Sequence, residues 1–483
     1  MTTENNRRWL ALMVLCLGSF MIVLDTTIVN VALPSIRADL GFTESSLAWV
    51  VNAYMLFFGG FLLLGGRLGD LFGHRRLFLV GISLFTVASI AAGLASTQSI
   101  LVAARAAQGL GGAIASATGL SLIMTLFTDV ANRTKAMGIV GFVSAGGGSV
   151  GVLLGGILTS VFGWHAVFVV NIPVGIAVTA LSLRLVPATN GFVMNARLDV
   201  GGAISVTASV MTAVYAIVNG NEAGWTSTQT LGLLGAAAIL FVAFVAIESQ
   251  VRDPLMPLGL FRQRNLATAN VMGVLWAASM FAAFFLSALY LQLVLGYTPL
   301  QVGLAFLLGN LLMAVFSVSL SAKLVMRFGI KRPLGTGLAL AGLGLLLLAR
   351  APIDGNYIVD VLPSMLLIGL GAGIAFNPML LAAMSDVHPQ QAGLASGMVN
   401  TSFMLGGALG LAVLASVAAA RTSNALAAGT PTLVALTDGY HAAFAVGAAF
   451  AIVAAILGVT VLRTPAQDVA ADETAVSLAT AAD

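Results

Sequence analysis

Apolar runs broken by short polar stretches repeat along nearly the whole chain. Crossing a hydrocarbon core of about 30 Å as a helix takes about 20 residues at 1.5 Å each. Fourteen runs reach that length approximately, at 9–32, 47–66, 77–96, 100–127, 136–161, 166–186, 199–218, 229–248, 267–292, 302–322, 334–351, 361–384, 397–420 and 441–462. The run at 100–127 is long for a straight crossing and is expected to tilt or fray. The pattern predicts an all-α polytopic membrane protein.

Charges in the breaks orient the runs. If the first run leaves the cytoplasm, 17 of the 21 lysines and arginines fall on the cytoplasmic side, Arg75, Arg76, Lys323 and Lys331 among them. Arg37, Arg350 and Arg421 fall outside, and Arg105 lies within a run. Positive residues are retained on the cytoplasmic side, so both termini are expected there. The break at 66–76 (GRLGDLFGHRR) also aligns without gaps with the break at 322–332 (AKLVMRFGIKR), sharing a basic residue, Leu, Phe, Gly and the final basic pair. A break that recurs eight runs later predicts two related halves, an arrangement that places a binding site between them in many secondary transporters. The expected organisation is a six-helix bundle over 1–186, two inserted helices over 187–265, a second six-helix bundle over 266–463 and a disordered cytoplasmic tail over 464–483.

Composition narrows the class further. Hydrophobic residues make up 59% and charged residues 8%, against about 25% charged in a soluble domain. The 54 glycines against 13 prolines suit closely packed membrane helices. The net charge of +3 is spread over short loops, which fits orientation in a bilayer and not a nucleic-acid surface. A single cysteine, Cys16, and four scattered histidines give no disulfide framework and no metal-ligand set. The first eight residues and the run after them faintly resemble a signal peptide, but that run is too long for one and no small-residue cleavage site follows. It reads as the first helix. No nucleotide-binding loop of the G-x-x-x-x-G-K-[ST] type is present and no break could hold an enzymatic domain. An enzyme is therefore not expected, no cofactor is implied, and any transport must draw on an ion gradient.

Asp25 is the candidate of first interest. A carboxylate deep in an apolar run costs at least about 2.5 kcal/mol on insertion scales, so such residues face a cavity or a partner and serve proton or ion movement. Arg105 is the basic residue inside a run, and opposed run directions place it at a similar depth. The two are expected to form a couple that holds the acid ionised until substrate or water disturbs it; the alternatives are an acid satisfied by a neighbouring helix and an arginine that snorkels. In the break at 66–77, Gly66 and Gly73 permit a tight turn, while Asp70, Arg75 and Arg76 offer a charge contact that two conformations could make differently. Plain orientation charge is the alternative. Gly138, Gly147, Gly151, Gly155 and Gly156 lie on the fifth run, and 147, 151 and 155 form one bare stripe for close helix packing, a seal or a hinge. Asn30, Asn52, Tyr54, Gln108, Trp276, Phe281, Phe285, Asn310, Asn377 and Asn400, with Gln292, are candidates for a greasy cavity with a few hydrogen-bonding groups.

These stretches resemble the major facilitator superfamily, specifically the fourteen-helix drug:proton antiporters. Residues 24–34 (LDTTIVNVALP) resemble the first-helix motif of that group, whose membrane acid falls on Asp25. Residues 66–77 are similar to the loop motif, with Asp70 and Arg75 in place, and 101–109 (LVAARAAQG) to the fourth-helix motif, whose proton-transfer arginine falls on Arg105. The fifth run is similar to the antiporter motif through its glycines, although Val152 stands where that motif usually has proline. Some relatives carry a second membrane acid in the later half, and none is found in the last six runs here, which disfavours dicationic cargo. The resemblance implies a proton-coupled exporter of hydrophobic or amphipathic drugs in a bacterial cytoplasmic membrane, working by alternating access as a monomer. A proton-coupled nutrient importer and a non-transporting membrane sensor are the rival readings.

Overall fold

The computed structural model describes residues 3–127, 129–187, 199–251, 254–387 and 392–463. The tail expected at 464–483, and 188–198 of the expected insertion, lie outside the described residues. Among the described residues the elements are helical and no strand occurs. The long helices are α1 (Thr3–Leu40), α2 (Trp49–Phe72), α3 (His74–Gly93), α4 (Gln98–Leu126), α5 (Val130–Phe162), α6 (Asn171–Leu185), α7 (Val200–Ala223), α8 (Thr228–Gln250), α9 (Arg264–Leu289), α10 (Pro299–Ser319), α11 (Lys331–Leu348), α12 (Leu362–Met384), α13 (Ala392–Ala427) and α14 (Thr432–Thr460). Among the described residues, 13 helices are long and apolar enough to cross a membrane. In α5 the apolar part found is Gly146–Phe162, although the helix itself runs for 33 residues.

Several helices outrun the apolar pattern. The first apolar run ends near 32, yet α1 continues through Pro34 to Leu40. Likewise α13 and α14 exceed the runs at 397–420 and 441–462. A helix satisfies its backbone internally, so it need not stop where lipid does, and membrane helices tolerate proline. Local signals set the stops. Thr298 and Gln301 form a capping box at the start of α10, with Pro299 in its first turn. Between α2 and α3, Gly73 turns the chain with φ of 93°, a conformation that glycine adopts without steric cost.

The packing pattern repeats with the same offset as the sequence. Helix α1 packs on α5, α2 and α3 pack on α4, and α1 and α3 pack on α6. Eight helices later, α9 packs on α13, α10 and α11 on α12, and α9 and α11 on α14. The two sets meet through α5 on α10 and through α2 on α13, and the same offset exchanges these contacts. Helices α7 and α8 pack on each other, and α7 also leans on α2 and α13.

Small residues bring these helices close. A Cβ on Gly147, Gly151 or Gly155 would run into α1 at Val23, Leu24 or Ile28. Gly156 faces α10 instead, where a Cβ would sit 2.8 Å from the Pro299 carbonyl oxygen. From the other side, a Cβ on Gly303 would lie 2.8 Å from the Val152 carbonyl oxygen. Helix α5 passes Val152 unbroken. A Cβ on Gly138 would meet nothing within 4 Å among the described residues, so it stands apart from the stripe. For orientation, the end of the molecule carrying the 66–76 and 322–332 breaks is called the basic end, and the opposite one the far end.

Candidate functional site

Asp25 and Arg105 meet. Arg105 Nη1 donates to Asp25 Oδ2 at 2.5 Å, and both side chains are sealed from solvent. Three further elements complete the environment. Gln108, one turn along α4 from Arg105, donates through Nε2 to Asp25 Oδ1 at 3.0 Å and accepts from Arg105 Nη1 at 2.9 Å. Asn171, the first residue of α6, donates through Nδ2 to Asp25 Oδ1 at 2.8 Å. On α3, Ser89 Oγ accepts from Gln108 Nε2 at 2.8 Å and donates to the Phe85 carbonyl. On α2, the Val50 carbonyl accepts from Arg105 Nε at 2.9 Å. The Arg105 guanidinium also lies over the Tyr54 ring, 4.5 Å from its centroid, and 5.8 Å from the Phe168 ring centroid.

This geometry supports a charge in a dry place. Removing an ion from water costs several kcal/mol in real proteins, about 20 kcal/mol in the idealised limit, and the cost is offset only where partners are close and lone pairs are met. Asp25 receives donors on both oxygens, from α4 and α6. Arg105 adds a cation–π contact, an interaction of about 2 kcal/mol when desolvated. Glycine spacing makes room for it. A Cβ on Gly109 would strike the Tyr54 backbone, and one on Gly112 would lie 3.1 Å from Tyr54 Oη.

Beside this cluster lies a cavity of about 270 Å³. It is bordered by Ser19, Ile22, Val23 and Thr26 of α1, Tyr54 and Phe58 of α2, Ser116, Leu120 and Ile123 of α4, Val140 of α5 and Met404 of α13. Its polar groups are hydroxyls, and no charged side chain borders it among the described residues. Such a lining suits an apolar body carrying a few hydrogen-bonding groups.

The other expected residues scatter. Gln108 belongs to the ion-pair cluster and Tyr54 joins that cluster to the cavity. Asn30 bonds back to the Thr26 carbonyl of its own helix. Asn52 is buried, and neither amide atom has a partner among the described residues. Trp276 and Phe285 are core residues, 1% and 0% exposed, whereas Phe281 packs edge-on to Phe403 of α13. Asn310 borders a separate narrow crevice between α9, α10 and α12, opposite Ser287. Asn377 donates to the Ser317 carbonyl at 2.7 Å, and Asn400 is exposed and bonds to Ser396 of its own helix. Gln292 donates to the Val31 carbonyl, joining α1 to the segment after α9.

In the turn at 66–76 the contact found for Asp70 is with His74, whose Nε2 lies 3.4 Å from Oδ1. Arg75 donates to the Leu183 carbonyl of α6, and Arg76 is exposed. Asn171 and Ser89 escaped the sequence reading, since an amide or hydroxyl in an apolar run carries no signal of where it points. Two further acids are buried among the described residues. At the basic end Asp199 caps α7 by accepting from the Gly202 amide, and Glu248 accepts from the Met256 amide.

Comparison with known proteins gives the family of the chain. The chain is 38% identical over 448 residues to the puromycin resistance protein pur8 of Streptomyces alboniger, covering 92% of this chain and 89% of that protein. It is 36% identical to the cephamycin export protein CmcT of Amycolatopsis lactamdurans, covering 88% and 87%. It is 33% identical to the tetracenomycin C resistance and export protein of Streptomyces glaucescens, covering 86% and 77%. Among solved structures, the nucleoside transporter NupG matches with a TM-score of 0.66 at 14% identity over 94% of this chain and 100% of that one. The POT family transporter PepTSo matches with 0.66 at 16% over 93% and 96%. These two show the fold alone. The family model of the Major Facilitator Superfamily matches residues 15–411. With its helices and these relatives, the chain is a multi-pass bacterial membrane protein and a transporter, not an enzyme. It belongs to the Major Facilitator Superfamily.

Proposed function

We propose that the protein is a proton-coupled antiporter that exports hydrophobic or amphipathic drugs by alternating access. The observation that carries this reading is the Asp25–Arg105 pair, buried and with donors on both carboxylate oxygens, beside a cavity bordered by apolar and hydroxyl side chains. Protonation of Asp25 removes the charge that Arg105, Gln108 and Asn171 hold, so a proton and the ordered cluster exclude one another. Relatives named for puromycin resistance and for cephamycin and tetracenomycin C export supply the cargo class. The chain lies with its basic end and both termini in the cytoplasm, as its arginines favour. Twelve helices form two bundles, α1–α6 and α9–α14, and α7 and α8 are an insertion. Asp25 and Arg105 carry the proton, the 66–76 turn switches, and the α5 glycines seal the bundles. The protein acts as a monomer with lipid, protons and small molecules as its partners, and needs no cofactor beyond the proton gradient.

A resistance panel of puromycin, cephamycin and tetracenomycin C in a pump-deficient bacterial host tests the cargo class. Resistance to at least one compound, abolished by a protonophore, is expected. The coupling is tested in inverted vesicles with the compound that scores. Asp25→Asn is expected to lose uphill efflux, and full gradient-driven efflux in that variant would defeat the assignment.

A further inference from the structure

The cavity and the ion-pair cluster touch through one side chain. Among the residues of the cluster (Asp25, Ser89, Arg105, Gln108 and Asn171, with the two rings on the guanidinium), Tyr54 is the one that also borders the cavity. Its ring covers Arg105 at 4.5 Å and stacks on Phe58 with centroids 5.8 Å apart. Its hydroxyl is buried and has no hydrogen-bond partner among the described residues. Buried polar groups are nearly always paired, so an orphan calls for a role.

We propose that Tyr54 is the plug between the substrate cavity and the Asp25–Arg105 pair, and that its ring makes proton binding depend on cargo. This rests on the antiporter reading. Charged or titratable groups facing Asp25 are Arg105 from α4 and Tyr54 from α2; α3 and α6 contribute neutral Ser89 and Asn171. While Arg105 is paired, its guanidinium gives the ring a flat cationic bed. Cargo in the cavity presses against the outer face of that ring and can accept from its free hydroxyl. When Asp25 takes a proton, Arg105 loses its anion, the bed shifts and the ring moves toward the cavity, against the cargo. By reciprocity, cargo that holds the ring down favours the ionised pair. Without the ring, Asp25 exchanges protons with the cavity whether cargo is present or not, and the empty protein leaks.

The test needs no cargo. Purified protein is reconstituted in liposomes of neutral and anionic phospholipid loaded with a pH-sensitive dye, and a pH step is imposed. Wild type and Tyr54→Phe, which keeps the ring, are expected to hold the gradient. Tyr54→Leu is expected to dissipate it at least fivefold faster, and Tyr54→Leu with Asp25→Asn to hold it again. Folding is checked by the melting transition, with Tyr54→Met used if the leucine variant fails. A tight Tyr54→Leu vesicle, a leak equal in Tyr54→Phe, or a leak that persists without Asp25 each overturns the proposal. Its failure is separable from that of the antiporter. If Asp25→Asn abolishes uphill efflux while Tyr54→Leu stays tight, the plug alone falls. If Tyr54→Leu leaks through Asp25 while wild type drives no efflux, the antiporter reading alone falls.

Discussion

Each donor to Asp25 supports a charge that water cannot reach, so each should be felt when removed. Asn171 is the clearest case, since it comes from α6 and bonds directly to Oδ1. Hydrogen bonds to charged groups are worth about 1.5–3 kcal/mol, and Asn171→Leu is expected to lower stability by that order, read as a lower melting transition in detergent. Ser89→Ala is expected to cost less, because Ser89 reaches the carboxylate only through Gln108. An unchanged transition for Asn171→Leu would mean the cluster does not hold a charge there. The sequence made Asp25 and Arg105 readable because a charge in an apolar run is costly wherever it points. It left Asn171 silent, for the amide next to Ile172 looks no different from Asn377, which bonds to Ser317, or Asn400, which bonds to its own helix. Polarity in a membrane helix reveals depth, but direction depends on the neighbours.

At the level of helices, α5 is held on two sides by two kinds of glycine. Gly151 and Gly155 let α1 approach, while Gly156 lets α10 approach from the other half of the sequence. A bulky substitute at Gly156 meets backbone at 2.8 Å, and backbone cannot turn aside. Overpacking costs about 1–3 kcal/mol, so Gly156→Val is expected to weaken the α5–α10 contact and cut export severely, measured as lost drug resistance at equal membrane abundance. Gly138→Ala meets nothing and gains helix propensity of about 1 kcal/mol, so resistance should match wild type. Equal loss in both would show that the motif glycines matter for a reason other than packing. The four-residue spacing made the stripe readable. That Gly156 belongs to a different contact was hidden, because neighbouring positions on a helix point about 100° apart and only the fold says which partner waits there.

Across the whole molecule, alternating access requires that one end open while the other closes. Among the described residues, the hydrogen bonds between α1–α6 and the segments from α9 onward include Gln292 to the Val31 carbonyl and the Leu300 amide to Ser160 Oγ, and both lie at the far end. Close glycine contacts between α5 and the first turn of α10 lie there too. On the proposed alternating-access cycle, export breaks these contacts once per turn. On that reading Ser160 and Leu300, joined by the 3.1 Å bond from the Leu300 amide to Ser160 Oγ, are the place to lock the far end. In a Cys16→Ser background, Ser160→Cys with Leu300→Cys joined by a short thiol cross-linker is expected to stop export, while either single variant treated alike keeps transporting. A pump that runs at full rate with its far end tied would have to pass cargo without separating these helices, and rocking of the two halves would be the wrong description of its cycle.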